Sequence, residues 1–75
     1  MSPELQEVIS QRREALKVLC RAAQLEDDLA ERWIADELNV DKYSAWMAQK
    51  NRVVSALGDW QRVTDAFLSA LEGRL

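Results

Sequence analysis

Seventy-five residues with 10 basic and 13 acidic side chains, a net charge of −3, no histidine and a single cysteine restrict what this chain can be. One cysteine excludes a disulfide within the chain, and without histidine it cannot furnish a zinc cluster. The small acidic excess lacks the basic stripe of a nucleic-acid binder, and no run of about 18 apolar residues exists to span a bilayer.

The first predicted element opens at Ser2-Pro3-Glu4. Serine is a good N-cap, proline fits the first helical position because no N–H is needed there, and glutamate complements the positive end of the helix dipole. Residues 4–38 are rich in Glu, Ala, Leu, Arg and Gln, all strong helix formers. A polar stripe, Ser10, Glu14, Lys17, Arg21, Gln24, Asp28 and Glu31, alternates spacings of four and three and marks one solvent-facing edge. The remaining arc is apolar and broad: Leu5, Val8, Ile9, Leu16, Val18, Leu19, Ala22, Ala23, Leu25, Leu29, Ala30, Trp33, Ile34 and Leu38.

The pattern stops at Asn39, a residue suited to the left-handed position after a helix, and Asp41 is a suitable N-cap for the next one. The turn is therefore expected at 39–41, between helices over 3–38 and 42–72, in a single domain spanning 1–75. The second helix carries the row Tyr43, Trp46, Lys50, Val53, Leu57, Trp60, Thr64, Phe67 and Leu71, with Met47, Val54, Leu68 and Leu75 widening its face. Such heptad spacing is the mark of bundle or coiled-coil packing. Gly58-Asp59 reads as a C-cap followed by a fresh N-cap and would split the segment, but the heptad phase runs through it unbroken, which favours one helix bent at Gly58.

The fold class is all-α, a long antiparallel helical hairpin. Folding back about residues 39–40 pairs positions whose numbers add to about 79: Trp33 with Trp46, Glu26 with Val53, Leu19 with Trp60, Leu16 with Val63 and Arg12 with Phe67. Glu26 and Lys50 then fall about one layer apart, where an ion pair could set register. Two such helices would span roughly 45–55 Å.

Individual residues divide between packing and function. Trp33 flanks the turn and reads as core, whereas Trp46 and Trp60 are balanced between core and interface, where tryptophan is enriched. Cys20 reads as a small buried hydrophobe. Glu26-Asp27-Asp28 cannot converge on one metal ion, because consecutive helical residues point in different directions. Arg12 is expected to lay its stem over Phe67, with Arg13 solvated. No glycine-rich phosphate loop, no Ser/His/Asp set and no metal motif occurs, so no enzymatic activity, cofactor or small-molecule substrate is expected.

What the hairpin leaves over points to a protein partner. A chain this short buries only roughly 60–65% of its unfolded surface, and disulfides and metal are excluded as reinforcement. Leu25, Leu29, Met47, Val54, Leu68 and Leu75 exceed the stripe one hairpin can cover, and an uncovered patch of that kind is rare on monomers. A second copy forming a four-helix bundle would cover it, as would a groove in another protein. Trp46, Val53, Trp60, Phe67, Leu68 and Leu71 are the expected partner contacts. An unpaired cysteine, and an N-terminus without the basic start and apolar stretch of a signal peptide, suit the cytoplasm.

The segment Leu38 to Leu57, LNVDKYSAWMAQKNRVVSAL, resembles the turn and second helix of the small co-chaperones of type III secretion needle subunits. There a short turn leads into an aromatic-x-x-aromatic pair (here Tyr43 and Trp46) and an Ala/Leu-rich helix. It is similar also to flagellar export chaperones, in which a lysine (Lys50) precedes a hydrophobic pair (Val53, Val54) and a leucine. The resemblance implies a cytosolic, non-enzymatic hairpin that binds a larger helical-repeat chaperone. The glycine-rich turn frequent in needle co-chaperones is missing here, and the chain is shorter than a full flagellar chaperone. The reading is thus a protein-binding adaptor or co-chaperone; the alternative is a homodimeric bundle with a structural role or a regulatory one, as in phage- or plasmid-type inhibitors.

Overall fold

The computed structural model describes residues 3–74 and holds two helices, α1 (Pro3–Ala35) and α2 (Val40–Glu72), with no strand among the described residues. The helical hairpin is as expected. It measures 54 × 14 × 14 Å. Its radius of gyration is 16.8 Å, against about 11 Å for a compact domain of this length. The molecule is a rod two helices wide.

Pro3 and Glu4 occupy the first turn of α1, and Arg32 in its last turn complements the negative end of the dipole. Ser2 as an N-cap, and Leu75 on the apolar face, lie outside the described residues. All of Ser10, Glu14, Lys17, Arg21, Gln24, Asp28 and Glu31 are exposed, so the polar stripe is a solvent edge.

The turn falls earlier than its sequence signals. α1 ends at Ala35 rather than 38, and α2 begins at Val40 rather than 42. The left-handed residues are Glu37 (φ 54°) and Leu38 (φ 62°), which let the Leu38 N–H donate to the Trp33 carbonyl at 3.1 Å. That is the 6→1 bond of a Schellman ending, with glutamate where glycine is usual. Asn39, expected as the left-handed residue, is instead the N-cap of α2 (φ −55°, ψ 130°). Its Oδ1 accepts from the N–H groups of Asp41 (2.9 Å) and Lys42 (3.3 Å), so Asp41 lies inside the first turn. Carboxamide and carboxylate are comparable caps, and the residue that reaches two orphan N–H groups takes the role. Lys42 Nζ and Asp36 Oδ2, 3.3 Å apart, bridge the turn from either side.

α2 runs through Gly58 without interruption. A Cβ on Gly58 would meet nothing within 4 Å, so this glycine serves no close packing contact.

The earlier turn moves the register. Cross-helix contacts join Trp33 to Trp46 and Tyr43, Glu26 to Trp46, Ala22 to Gln49, and Arg12 to Trp60 and Phe67. Their paired numbers add to between 71 and 79, centred near 75. Trp33 does meet Trp46 and Arg12 does meet Phe67. Glu26 faces Trp46 and not Val53, however, because the chain reverses at 37–38 instead of 39–40.

The seam of α2 changes accordingly. Trp46, Val53, Trp60 and Phe67 remain in it, half-buried, but the alternating positions are Gln49, Ala56, Val63 and Ala70. Gln49 and Ala56 are buried, whereas Lys50 is exposed and Leu57 is 40% exposed. The expected row Lys50, Leu57, Thr64 and Leu71 lies one position to the side. Large rings on one helix need small residues on the other for the backbones to approach. A mean pairing sum near 75 puts Ala15 and Ala22 level with Trp60 and Val53, and Ala56 level with Leu19.

Candidate functional site

Two polar groups enter the seam and set its register. The Trp46 Nε1–H donates to Glu26 Oε1 at 2.7 Å, and Gln49 Nε2 donates to the Ala22 carbonyl at 3.0 Å. Glu26 therefore has its partner in an indole, and the expected ion pair with Lys50 does not form. Trp33 stacks on Trp46, with centroids 5.2 Å apart and planes at 18°, and meets Tyr43 edge-on at 5.0 Å. These aromatic contacts lock the turn end of the rod.

At the other end, the Arg12 guanidinium lies 5.8 Å from the Trp60 ring and 5.7 Å from the Phe67 ring. Arg13 is exposed, as expected for the neighbour of a seam residue. Arg12 Nε, Trp60 Nε1 and Thr64 Oγ1 are buried without a hydrogen-bond partner in the hairpin, at one level of the rod. Native proteins usually satisfy such groups.

The expected partner contacts divide in two. Trp46, Val53, Trp60 and Phe67 are half-buried in the seam, their faces spent on closing the hairpin; Leu68, 48% exposed, and half-buried Leu71 lie beside it. Cys20 is exposed rather than buried: the seam takes Leu19 and Ala22, and the position after Leu19 falls on the outer flank. Asp27 and Asp28 are exposed and diverge from Glu26, and no group of His, Cys, Asp or Glu among the described residues could hold a metal ion. Among the described residues no helix is long and apolar enough to cross a membrane.

The two lateral flanks differ in chemistry. One carries a shallow groove lined by Gln11, Glu14, Ala15, Val18, Ala56 and Asp59. Seven-residue spacing from Val18 and Asp59 puts Leu25 (expected on one patch with Leu68) and Arg32 of α1, and Arg52 of α2, on the same side. The other begins at a groove lined by Ile9, Arg12, Arg13, Leu16 and Phe67. Successive helical residues are about 100° apart, so Leu57, two residues before Asp59, lies on this second flank. Tyr43, Leu57 and Leu71 recur along it at intervals of two heptads, with Lys50 and Thr64 between them and Met47, Val54 and Leu68 outside. Hydropathy alone missed this division. It becomes visible only when the heptads are read as a large-small alternation across two helices.

The core is correspondingly slight. Among the described residues only Leu5, Ala56 and Gln49 are buried, and no side chain is fully so. The accessible surface is 5664 Å², against about 4,700 Å² for a compact monomer of 8.6 kDa.

No protein-family model, no curated protein and no solved structure matches this chain.

Proposed function

We propose that this chain is a non-enzymatic protein-binding module of adaptor or co-chaperone type, which completes its core by packing its second lateral flank against a helical protein surface. The observation that carries the reading is the ratio of core to surface. Among the described residues three buried ones stand against a flank exposing Val54 (60%), Leu68 (48%), Leu57 (40%) and Leu16 (38%), a longer apolar row than the first flank's Val18 (50%) and Leu25 (46%). Exposed apolar rows with polar borders are what helix-in-groove and bundle interfaces bury. The needle co-chaperone likeness of Leu38 to Leu57 includes Tyr43, Val54 and Leu57 of this flank and names one setting in which such a hairpin works. The test is dye binding at low protein concentration. Wild type should bind anilinonaphthalene sulfonate and lose that binding in a Val54→Ser, Leu57→Ser, Leu68→Ser variant that keeps its helical circular dichroism. A hairpin that is stable alone at high dilution and binds no dye would overturn the reading.

A further inference from the structure

We infer that the surface which covers this flank is that of a second copy of the chain, docked with its α1 antiparallel to α1 and its α2 antiparallel to α2 in a four-helix bundle. The inference rests on the proposed function in taking this flank as the protein-binding surface, and it puts a second copy in place of the adaptor's separate partner.

The area fits first. The chain exposes roughly 1,000 Å² more than a compact monomer of its mass, and a standard interface buries about 800 Å² per partner. One symmetric contact would remove the excess.

The pattern then selects one arrangement. A two-fold axis lying across the rod would pair α1 with α1 at numbers adding to about 40. On the flank that sets Leu16 against Ala23 and Ile9 against Ala30, large against small. On its outer edge it sets Arg13 against Asp27, twice by symmetry, and Cys20 near Cys20 at the axis. The same axis pairs α2 with α2 at numbers adding to about 111, which sets Leu57 against Val54, Tyr43 against Leu68 and Lys50 against Gln61. The two midpoints, near residues 20 and 55.5, add to the value near 75 seen within the hairpin. One axis therefore serves both helix pairs, as an isologous contact requires.

The other symmetric choice, an axis along the rod, places α1 beside α2 of the second copy. It would set Leu16 against Leu57 and Ala30 against Tyr43 on the inner row, but Cys20 against Val54, Asp27 against Met47 and Gln6 against Leu68 on the outer edge, and it brings no opposite charges together on these rows. The crosswise axis leaves Gln6 against Ile34 on that edge, but it sets Leu57 against Val54 and Tyr43 against Leu68 and alone brings opposite charges together, Arg13 with Asp27.

The native cysteine reports on this geometry. Sedimentation equilibrium at micromolar concentration should give a dimer, and a short bis-maleimide should link it through Cys20, with Cys20→Ser abolishing the link. Arg13→Asp should weaken the dimer roughly tenfold by placing like charges together, and Arg13→Asp with Asp27→Arg should restore it. A dimer that neither crosslinks through Cys20 nor responds to the charge swap overturns the arrangement. A monomer that binds the dye overturns the second copy while leaving a different protein partner for the flank; a monomer that binds no dye overturns both readings.

Discussion

The bond between Trp46 and Glu26 offers the sharpest local test, because it joins the two helices at a point that the expected register missed. A hydrogen bond to a charged group contributes about 1.5–3 kcal/mol when desolvated. Both side chains here are half-buried, so water competes and about 1 kcal/mol is the expected share. Trp46→Phe keeps a ring over Trp33 but removes the N–H; Glu26→Met keeps the length but removes the acceptor. Each single change also alters packing, and only the double-mutant cycle isolates the pair. Urea unfolding followed by far-UV circular dichroism on the four proteins should give a coupling of about 1 kcal/mol. A coupling below about 0.3 kcal/mol would refute the assignment of the 2.7 Å contact as a register-setting bond.

Three further outcomes follow from single sites. Gly58→Ala should stabilise by about 0.5–1 kcal/mol, because the helix is continuous there and the added Cβ meets open space; a lower melting temperature would mean that the helix breaks at Gly58. Glu37→Gly should stabilise by about 0.5–1 kcal/mol in the same unfolding assay by relieving a left-handed glutamate, and a loss of stability would contradict the Schellman ending. Thr64→Val should raise the melting temperature by replacing an unpartnered buried hydroxyl with a methyl group, whereas a fall would show that the hydroxyl is bonded.

The elements that were legible in the sequence are those whose signal is local. Helix periodicity, the polar stripe from Ser10 to Glu31 and the row Trp46, Val53, Trp60 and Phe67 all announce themselves through side-chain type. Half of the α2 seam did not, because Gln49, Ala56 and Ala70 are polar or small, while Leu57 and Leu71, one position along, carry the stronger hydropathy. Those seam positions are set by what faces them across the hairpin, and that depends on the turn. The turn in turn depends on Glu37 and Leu38 adopting left-handed backbone, for which neither residue type gives a cue, and on Asn39 out-reaching Asp41 as the cap. A shift of two or three residues there displaced the pairing, moved Cys20 from core to flank and separated Leu25 from Leu68. The candidate surface was legible as an excess of apolar residues and became a defined flank only with the register in place.

The central claim is that a second copy completes this fold, and the most direct measurement is thermal unfolding at two protein concentrations. Between about 1 and 100 μM, mass action adds about 2.7 kcal/mol to a dimer that dissociates as it unfolds. For a unit of 150 residues, two chains of 75, that raises the melting temperature by roughly 5–10 °C. The account predicts that rise in the wild type and its loss in the Val54→Ser, Leu57→Ser, Leu68→Ser variant. A wild-type melting temperature that is the same at both concentrations would contradict it.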